Sequence, residues 1–167
     1  MEYKYIISND YVLEELDEDI NKQLKKFMKK DKNSIEKIHK YIKDPKIKFC
    51  RDSTSFADFL AFYDDYFSLY DNKELYALAA VSFNFKSDLD IEADDDDDSD
   101  KIIGINILYF CSKQKGYGGL LLKKIIDLCN YNNWFIKLKA TNENNTRFYE
   151  RYDFIQEKDG YHYYRNE

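Results

Sequence analysis

Glycine is scarce in this chain of 167 residues, and three of its five glycines fall at Gly116, Gly118 and Gly119. An apolar run, Ile102–Phe110, leads into Cys111-Ser112-Lys113-Gln114-Lys115-Gly116-Tyr117-Gly118-Gly119, and an amphipathic segment follows. That order predicts a strand, a tight turn and a helix. Glycine lets the backbone turn sharply and approach a ligand closely. N–H groups at a helix start, together with the helix dipole, attract anions, and Lys113 and Lys115 add positive charge. A pyrophosphate cradle fits this pattern, and so does a plain glycine-rich turn; the loop by itself leaves both open. No Gly-Lys-Ser/Thr follows at P-loop spacing. No acid ends the next strand, where Leu138-Lys139-Ala140 stands, as a dinucleotide fingerprint requires.

Tyr3–Ser8 reads as a first strand. Val12–Met28 and Ile35–Ile42 have helical spacing, and Pro45 blocks continuation of the second helix. Tyr66–Tyr70 and Leu75–Phe85 form a hairpin pattern across Asp71–Glu74. Ser87–Asp100 is acidic and of low complexity, with five consecutive aspartates at Asp94–Asp98. It is expected to be a disordered loop, covering about residues 87–101, because such a run repels itself and buries nothing. Gly116–Tyr131 reads as a helix, Trp134–Ala140 as a strand with one wet face, and Asn144–Tyr152 as a short helix. Phe154–Lys158 and Tyr161–Tyr164 read as a terminal hairpin through a type I′ turn at Asp159-Gly160. The order predicts one mixed α/β domain over residues 1–167.

A net charge of −6 argues against a general nucleic-acid binder. Cys50, Cys111 and Cys129 are an odd number without paired spacing, which predicts reduced thiols in a cytoplasmic setting. No metal motif, signal core or membrane-length apolar run is visible. The 16 tyrosines predict tyrosine-lined core and pockets.

A second segment follows the strand Trp134–Ala140: Asn142-Glu143-Asn144-Asn145-Thr146-Arg147-Phe148-Tyr149-Glu150-Arg151-Tyr152-Asp153-Phe154. It resembles the motif N-x-x-A-x-x-L/F-Y-E-K-x-G-F of the GNAT N-acetyltransferase superfamily. The glycine loop resembles the same family's R/Q-x-x-G-x-G/A, with Lys113, Gly116 and Gly118 at its defining positions. The resemblance is specific over roughly residues 102–164. Three positions depart from it: Lys113 keeps a donor but loses the planar geometry of Arg or Gln, Asn145 stands for Ala, and Asp153 stands for a glycine at a left-handed cap. Asp is among the few other residues that tolerate that conformation.

The resemblance implies a central, mostly antiparallel, splayed sheet with acetyl-CoA as co-substrate. It implies pantetheine pairing near Leu108 and Phe110, the pyrophosphate on Lys113, Gln114, Lys115, Gly116, Tyr117, Gly118 and Gly119, and further contacts from Asn142, Asn145 and Arg151. Asn142 and Asn145 equally suit a helix cap, and Arg151 a solvated surface. Tyr149 occupies the general-acid position, although as one tyrosine among 16 it also suits a core. Relatives often carry a carboxylate base on the strand before the loop; Gly104-Ile105-Asn106-Ile107-Leu108 offers none. Asn106 could order a water, and His162 is a candidate base or a packing residue.

The implied reaction moves an acetyl group to a primary amine, on an amino-sugar phosphate, a lysine, a protein N-terminus or a polyamine. Trp134-Phe135-Ile136-Lys137-Leu138 and Asn145–Tyr149 are somewhat similar to glucosamine-6-phosphate N-acetyltransferases, but the Glu-Asp pair of those enzymes is missing. The acidic loop reads as a solvated connection or as a lure for cationic acceptors. The rival reading is a catalytically inactive CoA-binding module that serves protein interaction. Tyr161-His162-Tyr163-Tyr164 is a candidate homodimer surface. Neither a membrane nor nucleic acid is expected as a partner.

Overall fold

The computed structural model describes residues 2–6, 66–71, 74–86, 102–113, 115–140 and 142–166. The two N-terminal helix patterns and the acidic run lie outside these residues. The elements are β1 (Glu2–Ile6), β2 (Tyr66–Asp71), β3 (Glu74–Phe85), β4 (Ile102–Ser112), α1 (Tyr117–Asn132), β5 (Phe135–Leu138), α2 (Glu143–Glu150), β6 (Ile155–Gln156) and β7 (His162–Tyr164). The seven strands hydrogen-bond in the order β1-β2-β3-β4-β5-β7-β6. The β4–β5 pair is parallel, whereas β1–β2, β2–β3, β5–β7 and β6–β7 are antiparallel. This is the expected mixed, mostly antiparallel α/β architecture.

The chain divides into two compact units. The first comprises Met1–Val81 and Tyr109–Leu122, and the second comprises Ser82–Leu108 and Lys123–Glu167. In the first unit Leu75, Ala77, Leu78, Ala79 and Ala80 are all buried. Consecutive buried residues place both faces of β3 against protein, which explains its continuous apolar run. A register shift lies between Leu69 and Tyr70 on β2.

In the second unit Ile105, Trp134, Ile136, Leu138, Phe154 and Tyr149 form the core. Helix α1 follows its sequence pattern: Leu121, Leu122, Ile125, Ile126 and Cys129 are buried, while Lys123, Lys124 and Asp127 are exposed. Burial pushes the free Cys129 thiol up from its ordinary value.

Two expectations are corrected. Cys111 is disulfide-bonded rather than reduced, and its partner lies outside the described residues. The terminal hairpin is not closed by a type I′ turn. Such a turn needs positive φ at two residues, and here only Gly160 has it, at +86°. The turn spans Glu157–Gly160, with the Gly160 N–H donating to the Glu157 carbonyl at 3.0 Å. The Asp159 carboxylate accepts the Tyr161 N–H at 3.0 Å and the Tyr163 hydroxyl at 2.6 Å. Asp159 is therefore tied forward into β7 without adopting a left-handed backbone.

Candidate functional site

In the first unit, β4 ends where Lys113 donates its backbone N–H to the Tyr76 carbonyl at 2.8 Å. The Lys113 ammonium lies 5.2 Å from the centre of the Tyr76 ring, which in turn stacks 4.5 Å from Tyr117. Gly116 has φ of +98°, a left-handed backbone that favours glycine. Its carbonyl accepts the Leu120 N–H at 3.3 Å, so α1 starts directly after it. The reason for Gly118 is different. A Cβ there would stand 3.3 Å from both Phe110 Cε1 and Ser112 Oγ, so the helix start approaches β4 more closely than a side chain comfortably allows.

The first N–H groups of a helix have no intrahelical acceptor. No acidic residue occupies the first turn of α1 to satisfy them. Lys113, Lys115 and Gly116 are exposed beside this end. The chemistry on offer is therefore an anion cradle of backbone donors with two lysines. Gln114, the remaining loop residue, lies outside the described residues.

In the second unit, α2 is capped by Asn142, whose Oδ1 accepts the Asn145 N–H at 2.8 Å. The Asn142 backbone is extended, as an N-cap requires. Arg151 is exposed, its guanidinium 5.8 Å from the Phe148 ring. Tyr149 is buried, 5.2 Å from the Phe148 ring and 5.6 Å from the Phe154 ring. The helix ends with Asp153 at φ +68°, the left-handed conformation expected where the motif carries glycine.

His162 is 1% exposed, and neither ring nitrogen has a hydrogen-bond partner. Its Nε2 lies 3.7 Å from Glu150 Oε1, too long for a good hydrogen bond. His162 sits opposite Leu138, and Tyr163 opposite Lys137. Lys137 in turn sits opposite Asn106. Strand alternation therefore places Asn106, Lys137 and Tyr163 on one face of these strands and His162 on the other. The two candidates for assisting the base step, Asn106 and His162, are on opposite faces.

Asn106 does not stand alone. Its Nδ2 donates to Asn84 Oδ1 at 3.2 Å, and Asn84 Nδ2 donates back to Asn106 Oδ1 at 3.1 Å. Ser82 Oγ lies 3.4 Å from Asn106 Nδ2. Sequence reasoning missed Ser82 and Asn84. Their signal is two polar residues at alternate positions of an otherwise apolar strand.

Leu108 and Phe110 lie on β4, whose pairing with β5 covers Gly104–Ile107. Among the described residues, no group of three His, Cys, Asp or Glu side chains could hold a metal ion, and no helix is long and apolar enough to cross a membrane.

No family model and no curated protein matches the chain. Solved structures do. A KacTA–DNA complex is similar at 15% identity and a TM-score of 0.51, covering 70% of this chain and 82% of its own. AtaT complexed with acetyl-methionyl-tRNAfMet is similar at 12% identity and a TM-score of 0.51, covering 71% of this chain and 85% of its own. The chain has the fold of the GNAT acetyltransferases.

Proposed function

We propose that the protein is an acetyl-CoA-dependent N-acetyltransferase acting on a primary amine. The observation that carries this reading is the start of α1. Gly116 is left-handed there, Gly118 packs within side-chain contact of Phe110 and Ser112, and no acid fills the first turn. A helix N-terminus arranged in this way suits a pyrophosphate.

In this reading Lys113, Gln114, Lys115, Gly116, Tyr117, Gly118 and Gly119 hold the CoA pyrophosphate. Leu108 and Phe110 offer backbone groups to pantetheine, while Asn142, Asn145 and Arg151 support the cofactor from the start and end of α2. Asn142 does so through its backbone, since its side chain caps the helix. The neutral amine attacks the thioester carbonyl, the new N–C bond forms, and the C–S bond breaks. Tyr149 donates its phenolic proton to the departing thiolate, a transfer uphill by roughly 1.5 pKa units because the thiol is the stronger acid, and the phenolate regains a proton from solvent as the products leave. The proton lost by the amine passes to His162 or to a water ordered by Asn106. The whole chain acts as one catalytic domain.

The test is thiol release from acetyl-CoA with a panel of amines: amino-sugar phosphates, lysine peptides, polyamines and an aminoacyl-tRNA. The last is included because one similar structure is a complex with an acetylated aminoacyl-tRNA. Amine-dependent thiol release supports the reading. Tight acetyl-CoA binding with no release for any amine would leave the inactive CoA-binding module.

A further inference from the structure

We propose that Tyr76, on β3, is a positioning residue for the CoA pyrophosphate: its ring holds Lys113 and the first residue of α1 where the anion needs them. This rests on the acetyltransferase reading and extends its cofactor site to a strand outside both motifs. The glycine loop is loose by composition. Glycine is conformationally permissive. Lys113 carries its charge on a flexible stem, without the planar fork of an arginine. Lys113 and Gly116 are also exposed. A cradle built from such residues binds tightly only if another element fixes it in the bound shape.

Tyr76 reaches both ends of that loop. Its backbone carbonyl accepts the Lys113 N–H at 2.8 Å. Its ring centre lies 5.2 Å from the Lys113 ammonium, within cation–π range. The same ring lies 4.5 Å from that of Tyr117, with 39° between the two planes. Tyr117 is the first residue of α1, so its own N–H is one of the donors without an intrahelical acceptor.

The strand that carries Tyr76 is anchored. Leu75 and Ala77, on either side of it, are buried, while Tyr76 itself is half-buried and extends toward the loop. The helix start is therefore held twice: by β4, where Gly118 packs against Phe110 and Ser112, and by β3 through the ring of Tyr76. All of these residues belong to the first compact unit. Both side-chain contacts are made by the ring, which phenylalanine keeps. Tyr76 acts through Lys113 and Tyr117, so its effect is confined to ligands that carry the pyrophosphate.

The experiment measures the binding of acetyl-CoA and of S-acetylpantetheine, which lacks the pyrophosphate, to full-length wild type, Tyr76→Phe and Tyr76→Met. Methionine fills the space of the side chain without a ring face. The wild type is expected to prefer acetyl-CoA. The ratio of the two Kd values is expected to fall about tenfold in Tyr76→Met and to stay within about twofold of wild type in Tyr76→Phe. A ratio of two ligands on one preparation is not altered by an unfolded fraction, so a merely structural role does not reproduce it. The wild type gives a second reading that needs no variant. NMR signals of the Tyr76 ring are expected to shift on addition of acetyl-CoA or inorganic pyrophosphate, but not of S-acetylpantetheine. An unchanged ratio in Tyr76→Met, an equal fall in Tyr76→Phe, or Tyr76 ring signals that ignore inorganic pyrophosphate would overturn the proposal. A wild type that binds neither acetyl donor would overturn the acetyltransferase reading instead.

Discussion

The Asn142 side chain accepts the backbone N–H of Asn145 at 2.8 Å, closing the first turn of α2. The carboxamide of Asn142 is thereby committed to the helix, three residues before the motif's Asn145. Asn142→Ala is expected to lower stability by about 1 kcal/mol. Asn142→Asp keeps the acceptor and is expected to leave stability nearly unchanged. Urea unfolding of both variants checks this; equal destabilisation would remove the cap from the account.

The motif's left-handed glycine position holds Asp153 at φ +68°. Asp153→Gly relieves the Cβ conflict and is expected to stabilise the protein by about 1 kcal/mol. Asp153→Val, with a β-branched side chain at positive φ, is expected to destabilise it. A higher urea midpoint for the glycine variant and a lower one for the valine variant would support the strain.

Asp159 and Tyr163 titrate as neighbours. The Tyr163 hydroxyl bond, then the Tyr161 N–H, hold the Asp159 carboxyl below its ordinary value. Its contribution to stability is therefore present above the unfolded value of 3.8 and lost as pH falls through the lower folded value. Burial and the bond to Asp159 push Tyr163 up to about 12, so its contribution is present below about 10 and lost as pH rises through about 12. In Tyr163→Phe the Asp159 carboxyl is expected to move back toward 3.8. Side-chain carboxyl NMR reads this directly, and an unmoved Asp159 would contradict the coupling.

Tyr149 is buried against Phe154, which makes it a core residue as well as the proposed acid. Tyr149→Phe preserves the packing and removes the proton. Turnover is expected to fall by about 10²-fold or more, with acetyl-CoA affinity nearly intact. Tyr149→Leu would also disturb the packing, and its stability should fall. Full turnover in the phenylalanine variant would remove the acid role.

The parts of the fold legible in the sequence are those written in local chemistry. Gly116 and Gly118 mark the loop because backbone conformation and close approach exclude other residues there. Asn142 and Asp153 bracket α2 because caps act within a turn of the chain. Burial along α1 follows from its spacing. The parts not legible depend on register between distant segments. Nothing local to Asn106 announces Asn84, twenty-two residues away. Lys137 meets Tyr161 only through the pairing of β5 with β7. The Cys111 disulfide was hidden by an odd cysteine count. The hairpin turn was misread because Asp159-Gly160 suits a type I′ turn by composition, while the side chain of Asp159 is bound to β7.

Acetyl-CoA binding by calorimetry, wild type beside Gly118→Trp, tests the central claim most directly. A Cβ at Gly118 already stands 3.3 Å from Phe110 Cε1 and Ser112 Oγ, so an indole there forces the start of α1 away from β4 and displaces the N–H groups of the loop. Binding by the wild type, abolished in a folded Gly118→Trp variant, is the predicted result. No binding by the wild type would contradict the account.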